Sequence, residues 1–225
     1  MIITIDGPIA TGKSSIAKKL AEELGFIYFD TGAMYRCITY GILQKSINYE
    51  DPDQMYQFLQ FFEFEIKMHK GEKRYFVENE DVSEKIRGAE VTNLVSRVSA
   101  LQALRNKLVA LQRSLSVGVN AIFEGRDMGT VVFPNADLKI FLTGDTLIRA
   151  QRRFQELKAR FPKETKELTL ERAIEDITRR DLYDTTRPIS PLMKAEDAFI
   201  VDTSNLTIEE IVFKILEHKN SLPHR

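Results

Sequence analysis

The chain has no tryptophan, one cysteine and three histidines among its 225 residues. The lone cysteine, Cys37, excludes an internal disulfide and a cysteine-built metal site. His69, His218 and His224 lie far apart, so each reads as a surface residue, and a histidine metal site is not expected. No apolar stretch approaches the length of a membrane span. An excess of one charge is also missing. Lys+Arg 32 against Asp+Glu 33 leaves a formal charge of −1, which argues against bulk attraction to a nucleic acid polymer or an anionic membrane. The first residues read as a working strand rather than a cleavable signal, and the expected location is the cytoplasm. What remains is an ordinary globular composition, 43% hydrophobic, with length enough for one domain carrying an insertion.

The most informative residues come early. The apolar run Ile2-Ile3-Thr4-Ile5-Asp6 is followed by Gly7-Pro8-Ile9-Ala10-Thr11-Gly12-Lys13-Ser14, which fits G-x-x-x-x-G-K-[ST]. Ile16, Ala17, Leu20, Ala21 and Leu24 then recur at helical spacing up to Gly25. A strand, a glycine-bearing loop and a helix in that order make a phosphate cradle, with backbone N–H groups and a helix N-terminus facing the anion. Residues Gly7 to Ser15 are therefore the expected nucleotide-binding segment. Lys13 is expected to reach the β- and γ-phosphates, and the Ser14 hydroxyl to hold Mg²⁺. Many such loops carry a second glycine where Ala10 stands, so an ordinary negative φ is expected at that position.

Downstream, short apolar runs alternate with helical ones. Strands are expected at 26–30, 119–123, 138–142 and 198–202. Helices are expected over 31–43, 91–116, 145–160 and 169–183, with a last one opened by the capping box Thr207-Ile208-Glu209-Glu210. In the long helix, Leu101, Leu104, Leu108 and Leu111 read as core. The fold class is α/β, a five-stranded parallel sheet with helices on both faces. One domain spans 1–225. Residues 51–95 interrupt the alternation as an inserted subdomain containing a β-hairpin, 61–68 with 74–78, turned at Lys70–Lys73. The charged stretch Phe161 to Leu168 lies within a mobile lid, 155–187.

Ligands of such sheets bind beyond the carboxyl ends of the strands. Two rim loops carry the same chemistry there: Asp30-Thr31-Gly32-Ala33-Met34-Tyr35-Arg36, and Glu124-Gly125-Arg126-Asp127-Met128-Gly129. Asp30 and Glu124 are both candidates to hold Mg²⁺ through water, because this ion keeps several waters. Further arginines follow at 149, 152, 153, 160, 179, 180 and 187. For Arg160 and Arg179 a solvated helix face is the simpler account. Phosphoryl transfer needs positive charge around the transferring group, and a closing lid that brings it also excludes water.

Together the run Gly7 to Ser14, the segment Asp30 to Arg36, the segment Gly125-Arg126-Asp127-Met128-Gly129-Thr130-Val131-Val132-Phe133-Pro134, and Arg180-Asp181 through Asp184 to Arg187-Pro188 resemble bacterial cytidylate kinases, nearly end to end. The resemblance implies a P-loop nucleoside monophosphate kinase that moves the γ-phosphoryl group of ATP to CMP or dCMP with Mg²⁺, and it makes 51–95 the monophosphate-binding subdomain. It implies Asp127 and Ser96 on the cytosine amino group, Arg105 on the ring acceptors, and Arg180 and Asp184 on the ribose. Thr31, Arg36, Arg126 and Arg187 would hold the acceptor phosphate. Lys13 with Arg152 or Arg153 would stabilise the transferring group, beside Arg126 and Arg187. Relative to the family, Thr31 replaces a serine, Glu124 lengthens an aspartate, Ile9 and Ala10 replace a small residue and glycine, and Leu182 and Tyr183 replace charged residues. A monomer is expected, since a lid and a hinged subdomain need room to move.

Three other readings compete. A P-loop kinase for AMP, UMP or shikimate would use the same rim arginines, so only Ser96, Arg105 and Asp127 argue for cytosine. A GTP-binding switch needs an Asn-Lys-x-Asp segment, whereas Asn106-Lys107 is followed by Leu108-Val109. A nonenzymatic ATP-binding protein would bind nucleotide without turnover.

Overall fold

The structure, a computed structural model, describes residues 1–69 and 72–222. The centre of the turn expected at Lys70–Lys73, and His224, lie outside the described residues. The chain divides into two compact units: Met1–Phe29 with Ser116–Arg225, and Asp30–Leu115. No described helix is long and apolar enough to cross a membrane.

In the first unit, β1 (Ile2–Asp6) leads through the glycine loop into α1 (Lys13–Leu24), and β2 (Ile27–Asp30) carries the chain to the second unit. The second unit holds α2 (Thr31–Gln44), α3 (Pro52–Phe61), β3 (Glu65–His69), β4 (Glu72–Val77), β5 (Glu80–Asp81), α4 (Ala89–Val98) and α5 (Gln102–Leu115). The chain returns to the first unit as β6 (Ala121–Gly125), a π-type turn (Met128–Val132), β7 (Leu138–Thr143), α6 (Thr146–Arg160), α7 (Leu170–Thr186), β8 (Phe199–Asp202) and α8 (Ile208–Ser221).

The main sheet has the order β2-β6-β1-β7-β8, and β1 runs parallel to both β6 and β7. Register sorts its two faces. Ile3 lies beside Ile122 and Leu138, and Ile5 beside Glu124 and Ile140. This apolar face packs on Ile16, Ala17 and Leu20 of α1 and on Ile211, Val212 and Ile215 of α8. Thr4, Asp6 and Phe123 belong to the opposite face, because side chains alternate along a strand. There Phe123 stacks on Phe29 with ring centres 4.7 Å apart, an arrangement worth about 1 kcal/mol beyond area burial.

Aspartates cap the starts of α6 and α2. Asp145 caps α6 through the N–H groups of Leu147 and Ile148, and Asp30 caps α2 through Ala33 N–H. The capping box of Thr207 and Glu210 forms as expected.

Five expectations need correction. The helix expected over 91–116 is two helices, α4 and α5, broken at 99–101. Leu104 and Leu108 are buried, but Leu101 and Leu111 are only partly so. Residues 52–61, read as a break in the pattern, form α3, with Pro52 in its first turn and Asp51 as its cap. Val119 and Asn120 precede β6 rather than belong to it. His218 is not a free surface group, since its ring stacks on Phe199 at 3.9 Å. The hairpin of β3 and β4 forms and gains β5 as a third antiparallel strand.

Candidate active site

The phosphate loop leaves β1 at Gly7. A Cβ there would sit 2.3 Å from the Leu142 carbonyl oxygen, and φ is +153°, so only glycine fits between β1 and β7. Ala10 has φ +61°, which overturns the ordinary negative φ expected for it. The loop keeps the left-handed turn that a glycine would make, and alanine adopts it under strain of about 1 kcal/mol.

Two groups clamp the crest of the loop. Ile9 N–H donates to Asp181 Oδ1 at 3.2 Å, and Arg149 Nη1 donates to the Ile9 carbonyl at 3.0 Å and to Asp181 Oδ2 at 2.6 Å. Helices α6 and α7 therefore grip a single residue of the loop from its donor and acceptor sides. Neither Arg149 nor Asp181 was assigned this role from sequence. A signal was available only in that Asp181 sits within a recognised segment.

Lys13 is 6% exposed and donates to the Pro8 carbonyl at 2.6 Å. Burial lowers its pKa to about 7. Arg126 pushes the same way, and Glu124, Asp184 and Asp6 oppose. Ser14 Oγ donates to Glu124 Oε1 at 2.5 Å, and Tyr28 OH donates to the same oxygen at 2.9 Å. The longer arm of Glu124 thus brings its carboxylate directly onto the first turn of α1. Asp30 is engaged otherwise, by Ala33 N–H and by Arg87 at 2.9 Å. Of the two carboxylates proposed for a cation, Glu124 is the one beside Ser14. A serine hydroxyl and a carboxylate are hard oxygen donors, and Mg²⁺ needs few of them because it retains water. Among the described residues no group of three or more His, Cys, Asp or Glu is placed to hold a metal ion alone.

A second cluster lies at the far side of β6 and along α7. Asp184, 1% exposed, accepts from Arg126 Nε at 2.9 Å and from Arg180 Nε at 3.4 Å. Burial raises its pKa, but Arg126 and Arg180 outweigh that and hold the carboxyl below its usual range. Arg187 Nη2 lies 3.6 Å from Asp127 Oδ1, both buried, and Arg187 Nε donates to the Ser190 carbonyl. The structure therefore brings Arg126, Asp127, Arg180, Asp184 and Arg187 together within one unit, as pairs. Arg152 has other partners, the carbonyls of Thr203 and Ser204, and Arg153 pairs with Glu156 at 2.9 Å.

The remaining expected residues belong to the 30–115 unit. Thr31 is buried at the start of α2. Arg36 donates to the Ile86 carbonyl at 3.1 Å and to Thr92 Oγ1 at 2.8 Å. Arg105, 2% exposed, lies over the Tyr35 ring at 5.6 Å and donates to the Ser99 carbonyl at 3.2 Å, while Ser99 Oγ donates to the Ser96 carbonyl at 2.9 Å. On one continuous helix Ser96 and Arg105 would face roughly 180° apart. The break between α4 and α5 removes that constraint, and Arg105 turns back to the Ser99 carbonyl at the end of α4.

Sequence reasoning missed Asp6 as well. It is 4% exposed, and its two oxygens accept from Met128 N–H at 2.9 Å and Gly129 N–H at 2.8 Å. Burial raises its pKa to about 7 against these two donors. A polar residue ending an otherwise apolar buried strand was the available signal.

The family model described as Cytidylate kinase matches residues 3–221. A cytidylate kinase from Protochlamydia amoebophila (strain UWE25) is 63% identical over 222 residues, covering 99% of this chain and 97% of that protein. One from Bacillus subtilis (strain 168) is 43% identical, covering 96% and 94%. Among solved structures, a shikimate kinase from Bacteroides thetaiotaomicron superposes with a TM-score of 0.52 at 12% identity over 98% of both chains, a likeness of fold alone. With a buried lysine in a phosphate loop, arginines paired along the rim and a match over nearly its whole length, the chain belongs to the cytidylate kinase family of phosphotransferases.

Proposed function

We propose that this chain transfers the γ-phosphoryl group of ATP to CMP or dCMP, giving ADP and CDP or dCDP. The observation that carries the reading is the electrostatic grouping of Lys13 with Glu124, Arg126 and Asp184 at the end of the phosphate loop, in a member of this family. An oxygen of the acceptor phosphate attacks the γ-phosphorus, and the bond from that phosphorus to the β–γ bridging oxygen breaks. The attacking oxygen is already ionised, so no general base is needed. What the protein supplies is positioning and positive charge.

Gly7 to Ser15 wrap the triphosphate, and Lys13 leaves the Pro8 carbonyl for the transferring phosphoryl group. Ser14 and Glu124 are the residues to hold Mg²⁺, which when bound neutralises phosphate charge. Asp127 reads the cytosine amino group, Arg180 and Asp184 the ribose, and Arg126 and Arg187 the acceptor phosphate. The same reading assigns Thr31, Arg36, Ser96 and Arg105 of the other unit to the acceptor. Arg153, whose partner Glu156 is half-exposed, is freer to serve than Arg152. The cytoplasm is the proposed location.

An acceptor panel tests this. With ATP and Mg²⁺ in an ADP-release assay, CMP and dCMP should give the highest kcat/KM. Preference for AMP, UMP or shikimate would overturn the assignment. Lys13 offers a second check. Burial holds its pKa below the ordinary 10.5, and bound polyphosphate should raise it again. ATP binding near pH 8.5 should therefore take up protons, read by calorimetry as a dependence of binding heat on buffer ionisation enthalpy. Lys13→Met should abolish the uptake.

A further inference from the structure

Asp6 is the last residue of β1, so its backbone runs straight into the phosphate loop. Its side chain goes elsewhere. Asp6 Oδ1 accepts from Met128 N–H and Oδ2 from Gly129 N–H, the first two residues of the π-type turn. The residue preceding that turn is Asp127, with φ −141° and ψ 24°, and its carbonyl accepts from Val131 and Val132 N–H at 2.9 and 3.1 Å. The turn is thus fastened twice, once by its own backbone and once to β1.

The sheet register places Asp6 for this task, since it lies between Gly125 and Phe141 at the strand ends. Gly129 completes the arrangement. A Cβ there would lie 3.0 Å from Thr4 Oγ1 and 3.2 Å from Lys139 Cδ, so the bare backbone is what allows the N–H to reach the carboxylate. Two consecutive N–H donors need two acceptors. A carboxylate supplies both, and an asparagine supplies one oxygen and one opposed NH₂.

We propose that Asp6 is a positioning residue for base selection: by fixing the Met128 and Gly129 amides it fixes the side chain of Asp127. Asp6 does not touch the substrate and acts through the turn. The inference rests on the reading above, in which Asp127 meets the amino group of cytosine. With the turn loosened, Asp127 loses the alignment that separates an amino donor from the carbonyl oxygen of uracil. Specificity of that kind depends on geometry held within a fraction of an ångström.

The test compares kcat/KM for CMP and UMP, with KM for ATP, in wild type, Asp6→Asn, Gly129→Ala, Asp127→Asn and the double variant Asp6→Asn/Asp127→Asn. Asp6→Asn should lower the CMP:UMP ratio by roughly tenfold, the value of about one lost hydrogen bond to a charged group. KM for CMP should rise more than KM for ATP. Gly129→Ala should lower the ratio too, because its Cβ pushes the turn away from the carboxylate. In the double variant the ratio should match that of Asp127→Asn alone, since the two act on one contact. Equal losses with CMP and UMP in Asp6→Asn, while Asp127→Asn changes the ratio, would reduce Asp6 to a fold-stabilising residue and overturn the proposal. An unchanged ratio in Asp127→Asn would overturn the base assignment itself, and this inference with it. Should Asp6→Asn not fold, the ratio in Gly129→Ala decides by the same criterion.

Discussion

Lys13→Ala is expected to lower kcat by about two to three orders of magnitude while leaving the protein folded. The argument has two halves. In the transition state, charge spreads over the equatorial oxygens of the transferring phosphoryl group, and a fixed ammonium there acts in surroundings poor in water. Loss of that group is felt in turnover more than in ground-state binding. In the resting protein the same ammonium is a burden. It is buried, its pKa is driven down, and its one named hydrogen bond goes to a backbone carbonyl. Removing it should not lower the melting temperature. Steady-state kinetics beside thermal unfolding separates the halves. Near-normal kcat would contradict the role given to the lysine, and a collapse of the fold would contradict the account of its burial.

Asp184→Asn should damage both stability and turnover. Asp184 is the buried anion against which Arg126 and Arg180 are packed, and its carboxylate also feels Arg187. Taking away the charge leaves Arg180 without its carboxylate partner and Arg126 with only Glu124 and Asp181, a loss on the order of 3–5 kcal/mol. For a chain of this size that is a fall in Tm on the order of 10 °C. The pH dependence has a definite sign. The carboxyl is held below its ordinary 3.8, so its contribution is present above that value and is lost as pH falls through the folded pKa. Acid unfolding of wild type should be steeper below pH 4 than that of Asp184→Asn. Identical acid limbs, or an unchanged Tm, would show that solvent rather than Asp184 neutralises the arginines.

Local structure that follows chain order was legible in the sequence. A strand, a loop and a helix fall in sequence, so Gly7 to Ser14 could be read directly, as could the capping box at Thr207. What escaped were contacts made across sequence distance. The bond from Asp6 to Met128 and Gly129 spans more than a hundred residues, and nothing local predicts which loop a strand-end carboxylate will meet. The break between α4 and α5 escaped because Val91, Val95 and Val98 before it and Leu101, Leu104 and Leu108 after it keep a helical spacing through 99–101. Periodicity reports which face is apolar and says little about continuity. Ala10 misled in another way. Residue type suggested an ordinary backbone, and the phosphate cradle imposed its own. The hydrogen bond from Ser14 to Glu124 needed coordinates, since nothing local says which side chain a strand-end carboxylate will meet.

Helix α7 has one more implication. Asp181 holds the loop crest at Ile9, and Arg180 and Asp184, on adjoining positions of the same rod, make up the arginine cluster. A stiff rod gripped at neighbouring points cannot tilt at one and stay still at the other. Substitutions that shift α7 at Asp181 will therefore tend to be felt at Arg180 and Asp184 as well, so the loop crest and the arginine cluster answer to one lever.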